Sequence, residues 1–465
     1  MSSIGSIINI ARSAIHAHQT AVRISSQNIS NAQTEGYSRQ RVAMVDSEPD
    51  ITPLGRMGTG VRIYDISRVR DTLLDTSFRR ESSKSASYET RHELLGRVEE
   101  ILGEPSDSGL AANLDAFFSS WSDVANNTAS DPARRLAVQR GTEVASTLRS
   151  FTNRLDEMVQ ATRSRVTTTV DEINRLTEQV AKVNELIVRE EASGLTASDL
   201  RDQRDRLIDS VSQLASVRTT ERENGAVALH IENVLIVDGS QAKRLSAVGE
   251  PPVIQVGSMT MSLASEGSVL GELVRMLDTR IPGVQARLDE LAEGLVVQTN
   301  ALHTAGFKRD GTAGGNFFDP TGTTARSIAV TATYTDIAAS DSATQPDNNR
   351  IALAMAAMRN APAENTIAQG IWTPAEAGIL GDVSANEHYR VTIADLAVQT
   401  RLAEDSTTVF STLSSQLQLR RQSVSGVSTD EELVRLMQHQ QAYTAAARII
   451  TTVDEMIQTI LDLKR

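Results

Sequence analysis

The 465-residue chain has no cysteine. That excludes disulfides, zinc–thiolate sites, iron–sulfur clusters and cysteine nucleophiles. Aromatic residues are only 3%. Ala, Ser, Thr, Leu, Val and Arg dominate instead, which suits long helices packed through small side chains. A cationic surplus is also missing: 46 Lys and Arg face 59 Asp and Glu, a formal net charge of -13. This weighs against a general nucleic-acid binder, whose affinity comes from cationic contacts to phosphate. No stretch suits a membrane span: the longest clearly apolar run is near Ile351–Met358, far short of the roughly 20 residues needed. A secretory signal is not expected either. Asn9 and Arg12 interrupt its would-be apolar core, and no A-x-A-like cleavage site follows.

The first real pattern is N-terminal. Ile4, Ile8, Ala11, Ile15, His18, Val22, Ser25 and Ile29 alternate steps of four and three. They form one seam of a continuous helix. The segment carries Arg12 and Arg23, and its first acid is Glu35. A core helix, an organellar transit peptide and an assembly helix all fit it.

The C-terminus has a counterpart. Ser428 and Glu431 read as a capping box just after Gly426. The helix it starts runs to the end without Pro or Gly. One seam is Leu436, Gln440, Tyr443, Ala447, Ile450, Asp454, Ile457 and Leu461. A second is Ala446, Ile449, Val453, Met456, Ile460 and Leu463. Two adjacent seams make a stripe too wide for one partner helix. Burial in a bundle is one reading. The other is a helix that meets its N-terminal counterpart on one seam and a neighbouring subunit on the other. On that second reading the two helices are expected to be mobile in a free monomer.

Between the termini a mainly α pattern is interrupted by β structure. Arg41–Val45 and Gly60–Asp65 read as extended. Leu94, Val98 and Ile101 lie on one helical face, and Asp115 to Trp121 forms a further helix. Asp131-Pro132 starts another. Leu155, Val159, Thr162, Val166, Thr169, Ile173, Leu176, Val180, Val183 and Ile187 form a sustained heptad seam, ended by Gly194. Ser198 is expected to cap the next helix.

From Asn224-Gly225 the period becomes two. Val227–Ile231, Val234–Val237 and Val253–Val256 predict a small antiparallel meander. Helix returns from about Ser268 to Leu302. One strand is expected near Ser327–Tyr334 and a short helix at Arg350–Met358. An irregular insertion lies between Pro362 and Pro374, and helix runs again from about Ile393 to Gln422. The expected fold is mainly α with small β parts, elongated and multi-domain. Its parts are a paired, coiled-coil-like terminal core (1–35 with 427–465), a long helical bundle (36–216, 267–305 and 387–426), an inserted meander (217–266) and an irregular outer insertion (306–386). No repeat of 20–50 residues occurs, so it is not a solenoid.

Chemical motifs are thin. Gly311-Thr-Ala-Gly-Gly lacks the Lys-Ser/Thr of a phosphate loop. No H-E-x-x-H, G-x-S-x-G or EF-hand spacing occurs. His16 and His18 fall on nearly opposite sides of a helix and cannot share a metal. Glu99-Glu100, Glu190-Glu191 and Glu431-Glu432 read as solvated faces. No catalytic residue, cofactor or metal is expected.

Several segments resemble one family. Ser26-Gln-Asn-Ile-Ser-Asn-Ala-Gln-Thr-Glu-Gly-Tyr-Ser-Arg-Gln-Arg41 is similar to the N-terminal signature of the bacterial flagellar rod, hook and hook-associated proteins. Gln438-His-Gln-Gln-Ala-Tyr-Thr-Ala-Ala-Ala-Arg448, with Thr451–Met456, is similar to their C-terminal signature. Three segments narrow the likeness to the first hook–filament junction protein of that family: Asp199–Leu207, Leu288–Phe318 and Arg421–Glu432. The resemblance spans nearly the whole chain apart from about Ala361–Asn386. The chain is shorter than many relatives, which implies a reduced or missing outer domain.

The resemblance implies a secreted structural subunit at the hook–filament junction, exported through the type III apparatus without a cleaved signal. It implies a ring-like layer of copies of itself, with the hook protein and the second junction protein as neighbours. The interface would comprise Ile4, Ile8, Ala11, Ile15, Val22, Ile29, Leu436, Tyr443, Ala447, Ile450, Val453, Ile457, Ile460 and Leu461. A cytoplasmic export chaperone would hold Ile449, Ile450, Val453, Met456 and Ile460. The alternatives are a secreted cell-wall hydrolase with flagellar-type ends, and a hook or second junction protein of the same family.

Overall fold

The computed structural model describes residues 2–462, apart from 53–54, 104–105, 107–108, 193, 195 and 264–266. Leu463, at the end of the second C-terminal seam, lies outside them. Helix α1 (Ser2–Ser30) leads into an antiparallel pair, β1 (Gln40–Asp46) and β4 (Val61–Arg68), bulged at Ala43/Met44. The expected extended stretches are these two strands. A short hairpin, β2 (Asp50–Thr52) with β3 (Gly55–Met57), projects between them.

Helix α2 (Thr72–Leu102) begins at Asp71, whose carboxylate accepts from the Leu73 and Leu74 N–H groups, and ends at left-handed Gly103. After α3 (Leu110–Asn126) comes α4 (Asp131–Glu191), a single helix of 61 residues. Ser130 caps it and Pro132 sits in its first turn. At 1.5 Å per residue it is about 90 Å long. All of its heptad seam from Leu155 to Ile187 is buried except Val159, which is half-buried.

Helix α5 (Ser198–Leu214) starts differently from expectation. Ala197 is the cap residue and Ser198 makes no capping bond. Instead Glu191, at the end of α4, accepts from the Ala197 N–H and pairs with Arg201. A carboxylate delivered by the preceding helix thus holds the cap residue's own N–H and a first-turn arginine, so Glu191 is not a solvated face.

The expected meander is two sheets. The first has four strands: β5 (Val217–Glu221), β6 (Val227–Ile231), β7 (Val234–Asp238) and β8 (Gln241–Ala242). The second has three: β9 (Leu245–Val248), β10 (Val253–Val256) and β11 (Met259–Thr260). Both dock on α4 through asparagines that imitate a strand backbone. Asn184 donates to the Val227 and Gly239 carbonyls and accepts from the Val227 N–H. Asn174 does the same with both groups of Leu245. Two-residue strands such as β8 and β11 have too little alternation to be legible.

Helices α6 (Val269–Arg275) and α7 (Ile281–Ala305) are joined by a π turn, Met276–Arg280. Pro282 follows it; lacking an N–H, proline disturbs the regular ladder there. The strand expected near Ser327–Tyr334 does not form. That segment has a single bridge, Phe318 with Val330, and its Thr331 and Ala332 N–H groups both donate to the Phe317 carbonyl. The stretch before it is what α7 holds in place. Asn300 bonds both to the Phe318 carbonyl and to the Phe317 and Phe318 N–H groups. Helix α8 (Arg350–Ala357), a single-turn α9 (Pro374–Ala377), α10 (Ala385–Ser425) and α11 (Thr429–Asp462) complete the chain. Helix α10 starts earlier than expected because Ser384 caps it.

The scarce aromatics gather at one place. Phe117, Phe118, Trp121, Phe317 and Phe318 form a continuous cluster of tilted and edge-to-face rings. His303 closes it. Its Nδ1–H donates to the Gly315 carbonyl at 2.6 Å and its Nε2 accepts from the Ala338 N–H at 3.0 Å. Burial depresses the imidazole from 6.5 to about 4. The native ring therefore stays neutral while an unfolded chain takes up a proton near pH 6.5. Between those values the unfolded state binds more protons, so stability falls as pH drops from about 6.5 to about 4. The expected loss is about 3 kcal/mol. Denaturant unfolding of His303→Gln should show lower stability at pH 7 and a flatter pH profile in that window; an unchanged slope would mean that other groups carry it.

Candidate assembly interface

Helices α1 and α11 pack along each other, and the β1–β4 hairpin lies against α1 as well. With two neighbours, the best-covered face of α1 is built from small residues: Ala11, Ala17 and Ala21, with Ile24, Ser25 and Asn28. Small side chains let the partners approach closely. The larger branched residues expected to form the seam, Ile4, Ile8, Ile15, Val22 and Ile29, are only half-buried; of the expected seam, the small residues Ala11 and Ser25 are the ones fully buried.

On α11 the covered line runs between the two expected seams. Ala446 and Val453 are buried; Leu436, His439, Ala447, Ile450 and Ile457 are half-buried. Tyr443, Ile449, Met456, Ile460 and Leu461 are exposed, as are the seam positions Gln440 and Asp454. The polar Gln440 and Asp454 explain the displacement, since either would leave a polar group uncovered in a dry contact. Of the five expected chaperone contacts, Ile449, Met456 and Ile460 are exposed. Val453 is turned onto the intramolecular pair.

The pair also has polar contacts. The Nδ1 atoms of His18 and His439 lie 3.2 Å apart and their ring centroids 5.5 Å apart. That combination places the nitrogens head-on, the geometry of a straight N–H···N bond. Burial lowers both pKa values, and for His439 the neighbouring His18 and Arg435 add to the effect. One ring donates and the other accepts; a second proton would set two donors against each other.

At the end of α1, fully buried Asn28 uses all its hydrogen-bonding capacity. Its Nδ2 donates to the Gln40 carbonyl at 2.9 Å and to Glu432 Oε2 at 3.0 Å. Its Oδ1 accepts from the Tyr37 hydroxyl at 2.8 Å and the Gln40 N–H at 3.0 Å. Glu432 is 1% exposed and also pairs with Arg435. Glu431 is exposed and meets Arg39. The expectation that both were solvated fails for Glu432, which is turned toward α1. Tyr37 is raised well above its ordinary pKa by burial and by Asp199, Asp202 and Glu432, so it remains a donor.

A charged cluster joins this end to the bundle. Asp199, Asp202, Asp205 and Asp209 recur at three- and four-residue steps, one face of α5. Asp202 accepts from the Ser38 N–H and hydroxyl and pairs with Arg68 at 2.7 Å. Asp205 takes Arg68 at 2.8 Å, Arg70 at 2.9 Å and Arg79 at 3.4 Å. Burial opposes its charge, but Arg70, Arg68 and Arg79 hold its carboxyl far below the usual range. Arg421, near the end of α10, reaches Asp75 at 2.6 Å and Asp209 at 2.7 Å. Three of the sequence blocks that carried the resemblance (26–41, 199–207 and 421–432) thus meet in one place. The spacing of the four aspartates was the available signal for it. The His18–His439 contact had none, because the two lie 421 positions apart. Among the described residues no group of three or more His, Cys, Asp or Glu is placed to hold a metal. Nor is any helix there long and apolar enough to cross a membrane.

The family model for the flagellar hook-associated protein FlgK helical domain matches residues 95–318, and that for the flagellar basal body rod FlgEFG protein C-terminal matches 421–463. Flagellar hook-associated protein 1 of Bacillus subtilis is 29% identical, over 98% of this chain and 97% of that one. The Salmonella typhimurium protein of the same name is 23% identical over 99% and 100%. The chain belongs to the flagellar hook-associated protein 1 family. Its alignment with the Salmonella relative runs over 553 positions against 465 in this chain, so the relative carries segments absent here. The solved structure of the flagellar hook junction protein FlgK from Burkholderia pseudomallei has the same fold. Its TM-score is 0.65 at 16% identity, over 75% of this chain and all of that one. Family membership makes the chain a structural protein of the bacterial flagellum.

Removing the Asn28 side chain would orphan the Gln40 N–H and take from buried Glu432 the donor to its Oε2. Asn28→Ala should cost on the order of 3 kcal/mol, concentrated on the terminal pair. Hydrogen exchange should accelerate over residues 429–445 with little change in α4; unchanged exchange there would show that Asn28 does not hold α11.

Proposed function

We propose that the chain is a non-catalytic subunit of the junction layer between hook and filament, assembled after type III export. Family membership supports the flagellar part of this reading. The observation that carries the rest is the uneven cover of the terminal pair. Ile4, Ile8 and Ile15 on α1 stay half-exposed, while Tyr443, Ile449, Met456, Ile460 and Leu461 on α11 face solvent. A subunit at home in water would rarely keep so long an apolar stripe, whereas one whose neighbours cover it would need it. The neighbours in this reading are further copies in a ring-like layer, the hook protein on one side and the second junction protein on the other. Before export a cytoplasmic chaperone covers α11 in a helix-in-groove complex, contacting Ile449, Ile450, Val453, Met456 and Ile460. Because Val453 is buried in the pair, that complex requires α11 to leave α1.

Three outcomes test the reading. Antibody-labelled electron micrographs should place the protein at the hook–filament boundary. Ile8→Asp and Ile457→Asp should abolish its incorporation while the thermal transition of the bundle stays put, since each sets a charge into an apolar seam. A destabilised bundle would mean that these helices belong to its core, and label elsewhere would overturn the location. A chain truncated after Thr444 should lose chaperone capture in pull-downs; undiminished capture would move the chaperone site off the end of α11.

A further inference from the structure

The contact between His18 of α1 and His439 of α11 limits how many protons the terminal pair can hold. Its two Nδ1 atoms face head-on at 3.2 Å. A neutral ring donates or accepts at Nδ1 according to its tautomer, whereas an imidazolium only donates. In the neutral pair one Nδ1–H donates to the other ring's bare Nδ1. A first added proton goes to the free Nε2 of the donor ring and leaves a charge-assisted N–H···N bond. A second has only the accepting Nδ1 left. Both nitrogens then donate, and the bond is lost.

The surroundings offer the second imidazolium no spare counter-ion. On α11, Arg435 lies one turn before His439 and adds like charge, and Arg448 beyond it is exposed. Glu432, two turns before His439, is already taken by Asn28 and Arg435. On α1, Arg12, His16 and Arg23 are exposed, and the first acidic residue of the chain is Glu35. In the hairpin beside α1, Arg41, Asp46 and Arg62 are exposed. Asp65 accepts from Thr196, and Arg68 pairs with Asp202 and Asp205. Burial disfavours charge on both rings, and at His439 the pull of Glu432 is weaker than the opposing effects of His18 and Arg435.

We propose that His18 and His439 form an acid-sensitive latch: when both take a proton, α11 parts from α1 beyond His439, while Asn28 and Glu432 keep the start of α11 in place. The position suits this role. His439 stands two turns, about 10 Å, along α11 from Glu432. Beyond it the fully buried residues of α11 are Ala446 and Val453. Separated rings charge independently near the ordinary histidine value of about 6.5. The open state therefore binds more protons than the closed one, and its population grows as pH falls. A difference of one proton makes the growth about tenfold per pH unit. Opening uncovers the face that another helix would need, so a partner taking that face binds more tightly in acid. The latch rests on the geometry of the single chain and is independent of the junction reading.

Hydrogen exchange on the dilute full-length chain tests it, followed from about pH 7.5 to about pH 5 and corrected for the intrinsic pH dependence of exchange. Protection over residues 440–462 should fall by about tenfold per unit below about pH 6.5, while residues 429–435 and α4 stay protected. His439→Asn sets an amide where Nδ1 stood. That amide donates to a neutral His18 and accepts from a charged one, so the fall should disappear. His18→Asn should abolish it from the other side. Steady protection over 440–462 down to about pH 5 in the unmodified chain overturns the latch, and so does an undiminished fall in both variants. A fall shared equally with 429–435 and α4 overturns it as well, because the whole fold would then be opening. If both variants are loose already at neutral pH, ring titrations of the unmodified chain by NMR decide. The two ring signals that the variants remove should titrate in separate steps, the lower well below about 6.5; a single shared step at that value overturns the proposal.

Discussion

Buried charge at the joint between the terminal helices and the bundle constrains everything else in this chain. Asp202 and Asp205 are held between Arg68, Arg70 and Arg79, and Ser38 is fixed to Asp202 through both its N–H and its hydroxyl. Groups of this kind contribute little net stability against an apolar alternative, yet breaking one of them strands the others. Their value is geometric. An arginine–carboxylate pair tolerates few relative placements, so β4, α2, α5 and the end of α10 can meet in only one way. The turn from α1 into β1 is then fixed in the same frame.

This matters because the terminal pair cannot set its own register. Its best-covered residues on α1 are alanines, and alanine against alanine discriminates poorly between neighbouring alignments. Polar contacts supply what the small residues lack. Asn28 reaches Glu432 and His18 reaches His439, and a slip of one turn would leave Asn28, Gln40 and Glu432 unsatisfied in a dry site. A single buried polar residue plays the same part in many coiled coils. The apolar stripes left outside can be matched to neighbours because the inside is already aligned.

The legibility of these features in the sequence followed their range. The heptad seam of α4 was readable because thirty residues repeat one pattern, and all but one of its ten positions are buried. The capping box at Ser428 was half right: Ser428 accepts from the Glu431 N–H at 3.5 Å, but Glu431 itself turns to Arg39. The strand expected near Ser327–Tyr334 failed because alternation describes side chains and names no partner strand: the Thr331 and Ala332 N–H groups share the Phe317 carbonyl and the Thr333 N–H goes to Asp336, so no ladder forms. In the terminal pair the seam of large aliphatics was the wrong line, since periodicity marks a helix face without saying which neighbour comes closest. The five sequence blocks gave the family, but not that three of them touch; their charges became a site only when helices distant in the chain came together.

The same division of labour suits the proposed role of a subunit that is exported and then assembled. Between α2 and α7 the folded interior is continuous, from Leu94 through the aromatic cluster to Leu302, and it needs no neighbour. Helix α11, by contrast, has polar ties to the rest at its first turn, Glu431 to Arg39 and buried Glu432 to Asn28, and beyond Tyr443 it contributes only Ala446 and Val453 as fully buried residues. A helix held more thinly than the bundle core, by polar ties at one end and partly covered apolar residues along its length, is the element expected to open first. Covering its outer stripe adds apolar burial that the monomer does not have. Assembly can therefore stabilise the terminal helices while the bundle stays as it was.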